Sequence, residues 1–284
     1  MIQLGLIGHP LGHSLSPKIH ATALKTCNLE GSYSLFPVAP DDMQGLKDLI
    51  DRVRSGEITG LNVTIPHKQN TIKFLDELTA PAKAIGAVNT IYLRDKKVIG
   101  DNMDAPGFLT DLERNFSSFG FHPSALILGA GGSARAVLYA LVNDGWDVTI
   151  VSRRIEQAKQ LVEVFQNGKS LIASYDNLSD VFQSPISSFS LIVNTTPVGM
   201  TPNIEQSPLP ENIILSKYTI IYDLVYNPRE TKLVKDARAQ GLAATTGLGM
   251  LIEQAALAFE IWTDCNPPRE IMRASIEQSP VSNI

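Results

Sequence analysis

The chain has 284 residues, which at a soft prior of about 150 residues per domain makes room for two domains or one large one. Hydrophobic residues make up 44% and charged residues 19%, enough apolar material for a sizeable core and a balance that excludes disordered, collagen-like and coiled-coil classes. Lys+Arg 24 against Asp+Glu 29 leaves a net charge of −5, which argues against the broad basic face of a non-specific nucleic-acid binder and leaves open a small anionic ligand held by a few local cations.

Short β-rich runs alternate with helical patterns from end to end, the signature of an α/β architecture with largely parallel sheets. Strands are predicted over residues 3–7, 33–38 and 61–65, then a hairpin-like pair over 88–93 and 98–101 turned at Arg94, Asp95 and Lys96. Helical patterns cover 17–27 and 43–54. Ser, Gly and Pro cluster over 115–123, the best linker candidate, so a second domain starts between about residue 105 and residue 120. A second series follows: a strand over 125–128, a Gly-rich turn, a helix to about Asn143, and a strand over 147–151. Further strands are predicted over 170–173, 191–194, 219–224 and 242–245, and the polar tail 275–284 is expected to fray.

No basic segment precedes an apolar run at the N-terminus, and no uninterrupted apolar stretch of about 18 residues occurs, so neither a leader nor a membrane span is expected. The most apolar late segment is broken by Glu253, Gln254 and Glu260 and reads as a core helix. Cys27 and Cys265 lie far apart and lack the spacing of a metal site or a disulfide framework, so a reducing cytoplasm is the simplest expectation. His9 and His13 are four apart, but Pro10 and Gly12 prevent the helical geometry that would aim both at one metal. No metal site is expected.

After the strand over 125–128 comes Gly129-Ala130-Gly131-Gly132-Ser133-Ala134, a match to G-x-G-x-x-G/A that opens a helix. Gly129 permits a tight turn, Gly131 lets backbone approach a pyrophosphate, and Ala134 lets helix and strand pack closely. The helix N-terminus then offers N–H groups and a positive dipole end to phosphate. An NAD site usually ends the next strand with a carboxylate that takes the ribose hydroxyls. Here that position reads Ser152-Arg153-Arg154, two guanidiniums suited to bind a 2′-phosphate and stack on adenine. NADP(H) is the expected cofactor; solvated arginines opening a helix are the alternative.

The strings Ser14-Leu15-Ser16-Pro17, Asn62-Val63-Thr64-Ile65-Pro66-His67-Lys68, Gly86-Ala87-Val88-Asn89-Thr90 and Asp101-Asn102-Met103-Asp104 closely resemble substrate-domain motifs of shikimate dehydrogenases. The resemblance runs on through the Gly-rich turn, Asn194-Thr195-Thr196-Pro197-Val198-Gly199-Met200, the segment from Tyr222 to Pro228, and Gly247-Leu248-Gly249-Met250-Leu251-Ile252-Glu253-Gln254. It covers nearly the whole chain in order. It implies a mixed-sheet α/β substrate domain, 1–105 plus 240–284, with a Rossmann-type doubly wound NADP-binding domain, 106–239, inserted in it. It also implies reversible NADPH-dependent reduction of 3-dehydroshikimate to shikimate in aromatic amino-acid biosynthesis. One departure is Ser152-Arg153-Arg154, where many members read Asn-Arg-Thr.

On this resemblance Ser14 and Ser16 bind the substrate carboxylate, and an extended segment would aim both hydroxyls the same way. Ser16 before Pro17 is equally a helix N-cap. Asn62, Thr64, Asn89 and Gln254 line the pocket by the same resemblance, and on a blander reading satisfy backbone groups; Tyr226 closes the nucleotide-domain side. Thr195, Gly247 and Met250 border the cofactor. Lys68 and Asp104 are the catalytic candidates. Reduction of a ketone by hydride leaves a developing alkoxide, to which a positioned ammonium can give its proton, with Asp104 orienting it. In the oxidation direction the lysine must be neutral, a form scarce at neutral pH and made scarcer by a carboxylate neighbour. Asp104 ahead of a helical pattern is also a candidate N-cap. His67 reads as structural.

Two alternatives stand beside this reading: a quinate/shikimate dehydrogenase with NAD or dual cofactor use, and a non-catalytic NADP(H)-sensing module. The expected partner is a small-molecule substrate, with oligomeric state open, a homodimer included.

Overall fold

The computed structural model describes residues 1–116, 123–165, 171–174, 178, 189–211 and 213–277. The chain divides into two compact units, Met1–Gly107 with Leu251–Ile284, and Phe108–Met250.

In the first unit six strands, β1 (Ile2–Gly8), β2 (Gly31–Pro37), β3 (Gly60–Val63), β4 (Glu77–Leu78), β5 (Thr90–Arg94) and β6 (Lys97–Asp101), form one sheet in the order β2-β1-β3-β5-β6-β4. β1 runs parallel to both β2 and β3, so helical crossovers are required; α1 (Ser16–Thr26) and α2 (Met43–Arg54) supply them. Leu46, Leu49, Ile50 and Val53 recur at helical spacing on α2 and bury against Ile7, Leu61, Val63 and Ile91. β5 is antiparallel to β3 and β6. Its hairpin turns on Asp95 and Lys96, both at positive φ (51° and 65°), as a two-residue turn matched to the strand twist requires.

The third strand is shorter than its sequence pattern. It stops at Val63, whose N–H bonds the Asn89 carbonyl just before β5; the Thr64 N–H still bonds the Ile7 carbonyl on the β1 side, and Pro66 has no N–H to offer. A single 3₁₀ turn, Asn70–Phe74, and a short helix α3 (Ala80–Ile85) follow, α3 capped by the Thr79 hydroxyl.

The second unit holds β7 (Ser124–Leu128), β8 (Asp147–Ser152), β9 (Leu171–Ser174), β10 (Leu191–Asn194), β11 (Ile220–Asp223) and β12 (Ala244–Thr246). Their order is β12-β11-β10-β7-β8-β9, all parallel. Counted from β7 this is the doubly wound dinucleotide-binding order, with its switch point between β7 and β10. Fully buried runs on β7 and β10 mark strands covered on both faces. Helices α5 (Gly132–Asn143), α6 (Ile155–Phe165) and α7 (Lys232–Ala239) belong to this unit.

The chain passes between the units within α4 (Asp104–Asn115) and within α8 (Leu248–Thr263), and α9 (Arg269–Glu277) follows. The boundary therefore lies inside a helix and not in the Ser/Gly/Pro-rich stretch, of which 117–122 fall outside the described residues, as does Ser170 of the strand predicted over 170–173. Ser275 to Glu277, expected to fray, are the last turn of α9, where Met272 and Ile276 are buried; 278–284 lie outside the described residues.

The cysteine expectation is overturned. Cys27, just past α1, and Cys265, just past α8, form a disulfide across 238 positions, Cα–Cα 6.4 Å. Spacing along the chain could not show it, because the C-terminal segment returns to the first unit. The pairing also removes cysteine usage as a ground for a reducing compartment. Among the described residues no helix is long and apolar enough to cross a membrane.

Candidate active site

Lys68 lies just beyond β3, and Asp104 opens α4. The Lys68 ammonium stands 2.5 Å from Asp104 Oδ2, the two side chains 12% and 8% exposed. The Lys68 carbonyl accepts from the Val88 N–H at 2.7 Å, which ties the loop to the segment leading into β5. Asp104 is not the N-cap of its helix. The Asn102 amide oxygen takes that role, accepting from the N–H groups of Asp104 (3.1 Å) and Ala105 (3.4 Å). This releases the Asp104 carboxylate to face the site: Oδ2 receives Lys68 and Oδ1 receives Asn89 Nδ2 at 2.9 Å.

Asn89 is held in one orientation. Its Oδ1 accepts from the Met103 N–H (2.8 Å) and the Thr90 hydroxyl (2.9 Å), while Nδ2 also reaches Gln254 Oε1 at 3.4 Å. Gln254 in turn donates to the Leu251 carbonyl at 2.9 Å. A Cβ at Gly107 would come within 2.9 Å of the Gln254 nitrogen, so α4 can lie this close to α8 only with glycine there. Asn62 completes the row, donating to the Asn89 carbonyl at 3.3 Å and accepting from the Tyr33 hydroxyl at 2.8 Å. A Cβ at Gly8 would lie 2.4 Å from Thr64 Cγ2, which places Thr64 against the end of β1.

The Ser14–Ser16 segment is not extended. Leu15 sits in the right-handed helical region (φ −85°, ψ −11°) as the N-cap, and Ser16 is the first helical residue, so the two hydroxyls are not aimed by strand alternation. Nor does Ser16 cap the helix; the Ser14 hydroxyl accepts from the Ser16 N–H at 3.2 Å. His67, fully buried, donates from Nε2 to the Val38 carbonyl at 2.8 Å, a structural role. Among the described residues no group of three His, Cys, Asp or Glu stands ready to hold a metal ion.

Tyr33 and Asn102 escape a reading of the sequence. Tyr33 alternates on a half-exposed strand, and only the register of β2, β1 and β3 reveals its reach to Asn62. Asn102 was readable in principle, as an Asx residue two positions before a helix start.

In the second unit Gly129 follows β7 at φ +112°, and a Cβ on it would meet Thr195 Oγ1 at 2.6 Å. Glycine is needed on both counts. The Thr195 hydroxyl donates to the Leu128 carbonyl at 2.7 Å, joining the ends of β7 and β10 at the switch point. Gly131 is the N-cap of α5 and offers no side chain to its free N–H groups; a Cβ there would meet nothing within 4 Å. Ala130 and Ala134 are buried, Gly132 and Ser133 half-buried. This bare helix start at the carboxyl ends of parallel strands fits a pyrophosphate. At the end of β8 the Ser152 hydroxyl accepts from the Arg154 N–H at 3.1 Å, a turn that leaves Arg153 and Arg154 exposed.

The loop after β10 rests on Asn194, whose Oδ1 receives the Thr196 N–H and hydroxyl and whose Nδ2 donates to Asp223 at 2.8 Å. Burial pushes the Asp223 carboxyl up to about 6, against the opposing donors Thr231, Val225 and Asn194. Gly247 is packed against the Leu224 carbonyl, where a Cβ would lie 2.4 Å away. Met250 is buried, and burial raises the Tyr226 phenol; both belong to this second unit.

Family models match along the chain: shikimate dehydrogenase substrate binding domain over 6–91, shikimate / quinate 5-dehydrogenase over 113–232, and shikimate 5'-dehydrogenase C-terminal domain over 247–277. The chain is 41% identical over 275 residues to a shikimate dehydrogenase (NADP(+)) of Methanococcus maripaludis, covering 96% of this chain and 95% of the relative. A crystallised shikimate dehydrogenase in complex with NADP+ superposes with a TM-score of 0.88 at 36% identity, covering 98% of this chain and 95% of the other. The enzyme from Thermus thermophilus, crystallised with NADP(H) and shikimate, gives 0.84 at 35% identity, covering 97% and 98%. With the Lys68–Asp104 pair in a mixed-sheet unit and the Gly-rich turn in a doubly wound one, these matches over nearly the full length make this chain a member of the shikimate dehydrogenase family.

Proposed function

We propose that the chain catalyses the reversible, NADPH-dependent reduction of 3-dehydroshikimate to shikimate. The observation that carries this is the buried Lys68–Asp104 pair, fastened through Asn89 to Asn62 and Gln254. A ring carrying a carboxylate and several hydroxyls needs amide and hydroxyl groups at fixed positions, and this row supplies them with most of their other valences already committed. When bound, NADPH supplies a hydride to the substrate ketone. The Lys68 ammonium then gives a proton from Nζ to the alkoxide oxygen as it forms. Asp104 keeps Lys68 aimed, and Asn89 keeps Asp104 from turning away. Ser14 and Ser16 at the start of α1 take the substrate carboxylate, and Thr64 and Tyr226 are assigned to the substrate by the family resemblance.

For the cofactor, the N–H groups at the bare start of α5, over Gly129 to Ala134, hold the pyrophosphate. Arg153, with Arg154 beside it, takes the 2′-phosphate, Ser152 shaping the turn that presents them. Thr195, Gly247 and Met250 line the remainder of the nucleotide site. A cytoplasmic home rests on the biosynthetic reaction alone, since the paired cysteines no longer argue for it.

The test is turnover by the purified protein with 3-dehydroshikimate and NADPH, then shikimate and quinate each with NADP and NAD. NADPH oxidation dependent on 3-dehydroshikimate is expected. Efficient NAD-linked quinate oxidation would instead make the chain a quinate/shikimate dehydrogenase, and cofactor binding without turnover a sensor.

A further inference from the structure

Tyr33 stands on β2 opposite Leu4 of β1, and Asn62 on β3 opposite Leu6. The Tyr33 side chain therefore crosses the intervening strand to bring its hydroxyl within 2.8 Å of Asn62 Oδ1. Its ring is aimed by a parallel stack on His20, centroids 4.3 Å apart and planes 3° from each other. His20 lies one helical turn after Ser16 on α1. His20 is fully buried against Phe259 and Trp262, so the stack has little room to move.

An amide can present either its oxygen or its nitrogen to a ligand, and only its neighbours decide which. At Asn62 the decision is made twice: the Tyr33 O–H claims Oδ1, and Nδ2 spends one hydrogen on the Asn89 carbonyl. The second Nδ2 hydrogen is left as a donor. We infer that Tyr33 is a positioning residue for the substrate, locking the Asn62 amide as a donor. Burial holds the phenol well above its ordinary range, so it remains an O–H donor at every pH the protein meets.

The inference rests on the proposed placing of substrate against Asn62, and a double-mutant cycle separates the two. Tyr33→Phe keeps the ring stack and removes only the hydroxyl. It is expected to raise KM for 3-dehydroshikimate about three- to ten-fold, leaving kcat and KM for NADPH close to wild type. Asn62→Ala is expected to raise the same KM, and adding Tyr33→Phe to it to change nothing further. An unchanged KM in Tyr33→Phe, a fall in kcat alone, or an equal KM increase in both backgrounds would overturn the inference even where Asn62→Ala behaves as expected. An unaltered KM in Asn62→Ala would overturn the placing of substrate, and the role of Tyr33 with it.

Discussion

Asp104 uses both of its carboxylate oxygens inside the first unit, Oδ2 for the Lys68 ammonium and Oδ1 for the Asn89 amide. A lysine held this way cannot swing to solvent without leaving a buried carboxylate uncompensated, which is costly. Lys68→Ala should therefore lower kcat by about 10²–10⁴, the usual worth of a positioned acid, with NADPH affinity unchanged by fluorescence titration. Asp104→Asn should keep the Asn89 contact and still lose much of kcat, because the ammonium loses its charged anchor. Near-normal turnover in Lys68→Ala would remove the lysine from the chemistry.

Arg153 is exposed at the end of β8, where the Ser152 turn presents it without an acidic residue beside it in sequence. Arg153→Ala should raise KM for NADPH about ten- to a hundred-fold, the worth of a charge-assisted pair with phosphate, and change KM for NADH little. Measuring both cofactors in one assay separates the phosphate contact from general damage, which would raise both alike.

What the sequence made readable here is what repeats locally. The apolar run and glycines around Gly129, the helical spacing on α2 and the Asp95-Lys96 turn each follow from a few neighbouring residues. Site residues such as Lys68 and Asp104 were legible only through resemblance, since a lysine after a proline and an aspartate before a helix have ordinary local readings. The groups that orient them depend on distant register and stayed hidden. Tyr33 reaches Asn62 across β1, and Cys27 meets Cys265 because the chain's end returns to its beginning.

Two buried groups give the stability a pH dependence of opposite signs. Burial holds His20 down to about 3 from 6.5, with Asn62 weakly opposing. Its contribution is fully present above pH 6.5 and drains away as pH falls toward 3. Asp223 is pushed up from 3.8 to about 6, so it contributes below pH 3.8 and loses that contribution as pH rises through 6. The His20 window is the wider, and the net expectation is a fall in urea midpoint on acidification from about pH 7 to pH 4. His20→Phe keeps an aromatic ring on Tyr33 and should abolish or reverse that fall, leaving the opposite trend of Asp223, while Asp223→Asn should steepen it. Parallel curves for wild type and His20→Phe would assign the acid sensitivity elsewhere.

The Cys27–Cys265 bridge joins the end of α1, whose first turn carries Ser16, to the segment after α8, which carries Gln254. Closing a loop of 238 positions restricts the unfolded chain, and removing such a bridge typically costs about 2–4 kcal/mol. Reductant should therefore lower the melting temperature of the wild type and leave that of Cys265→Ser unchanged. Because α1 and α9 also pack directly against each other, the reduced protein should stay folded at room temperature with kcat near that of the oxidised form. A melting temperature indifferent to reductant in the wild type, with free thiols counted in the native protein, would show the bridge absent in solution.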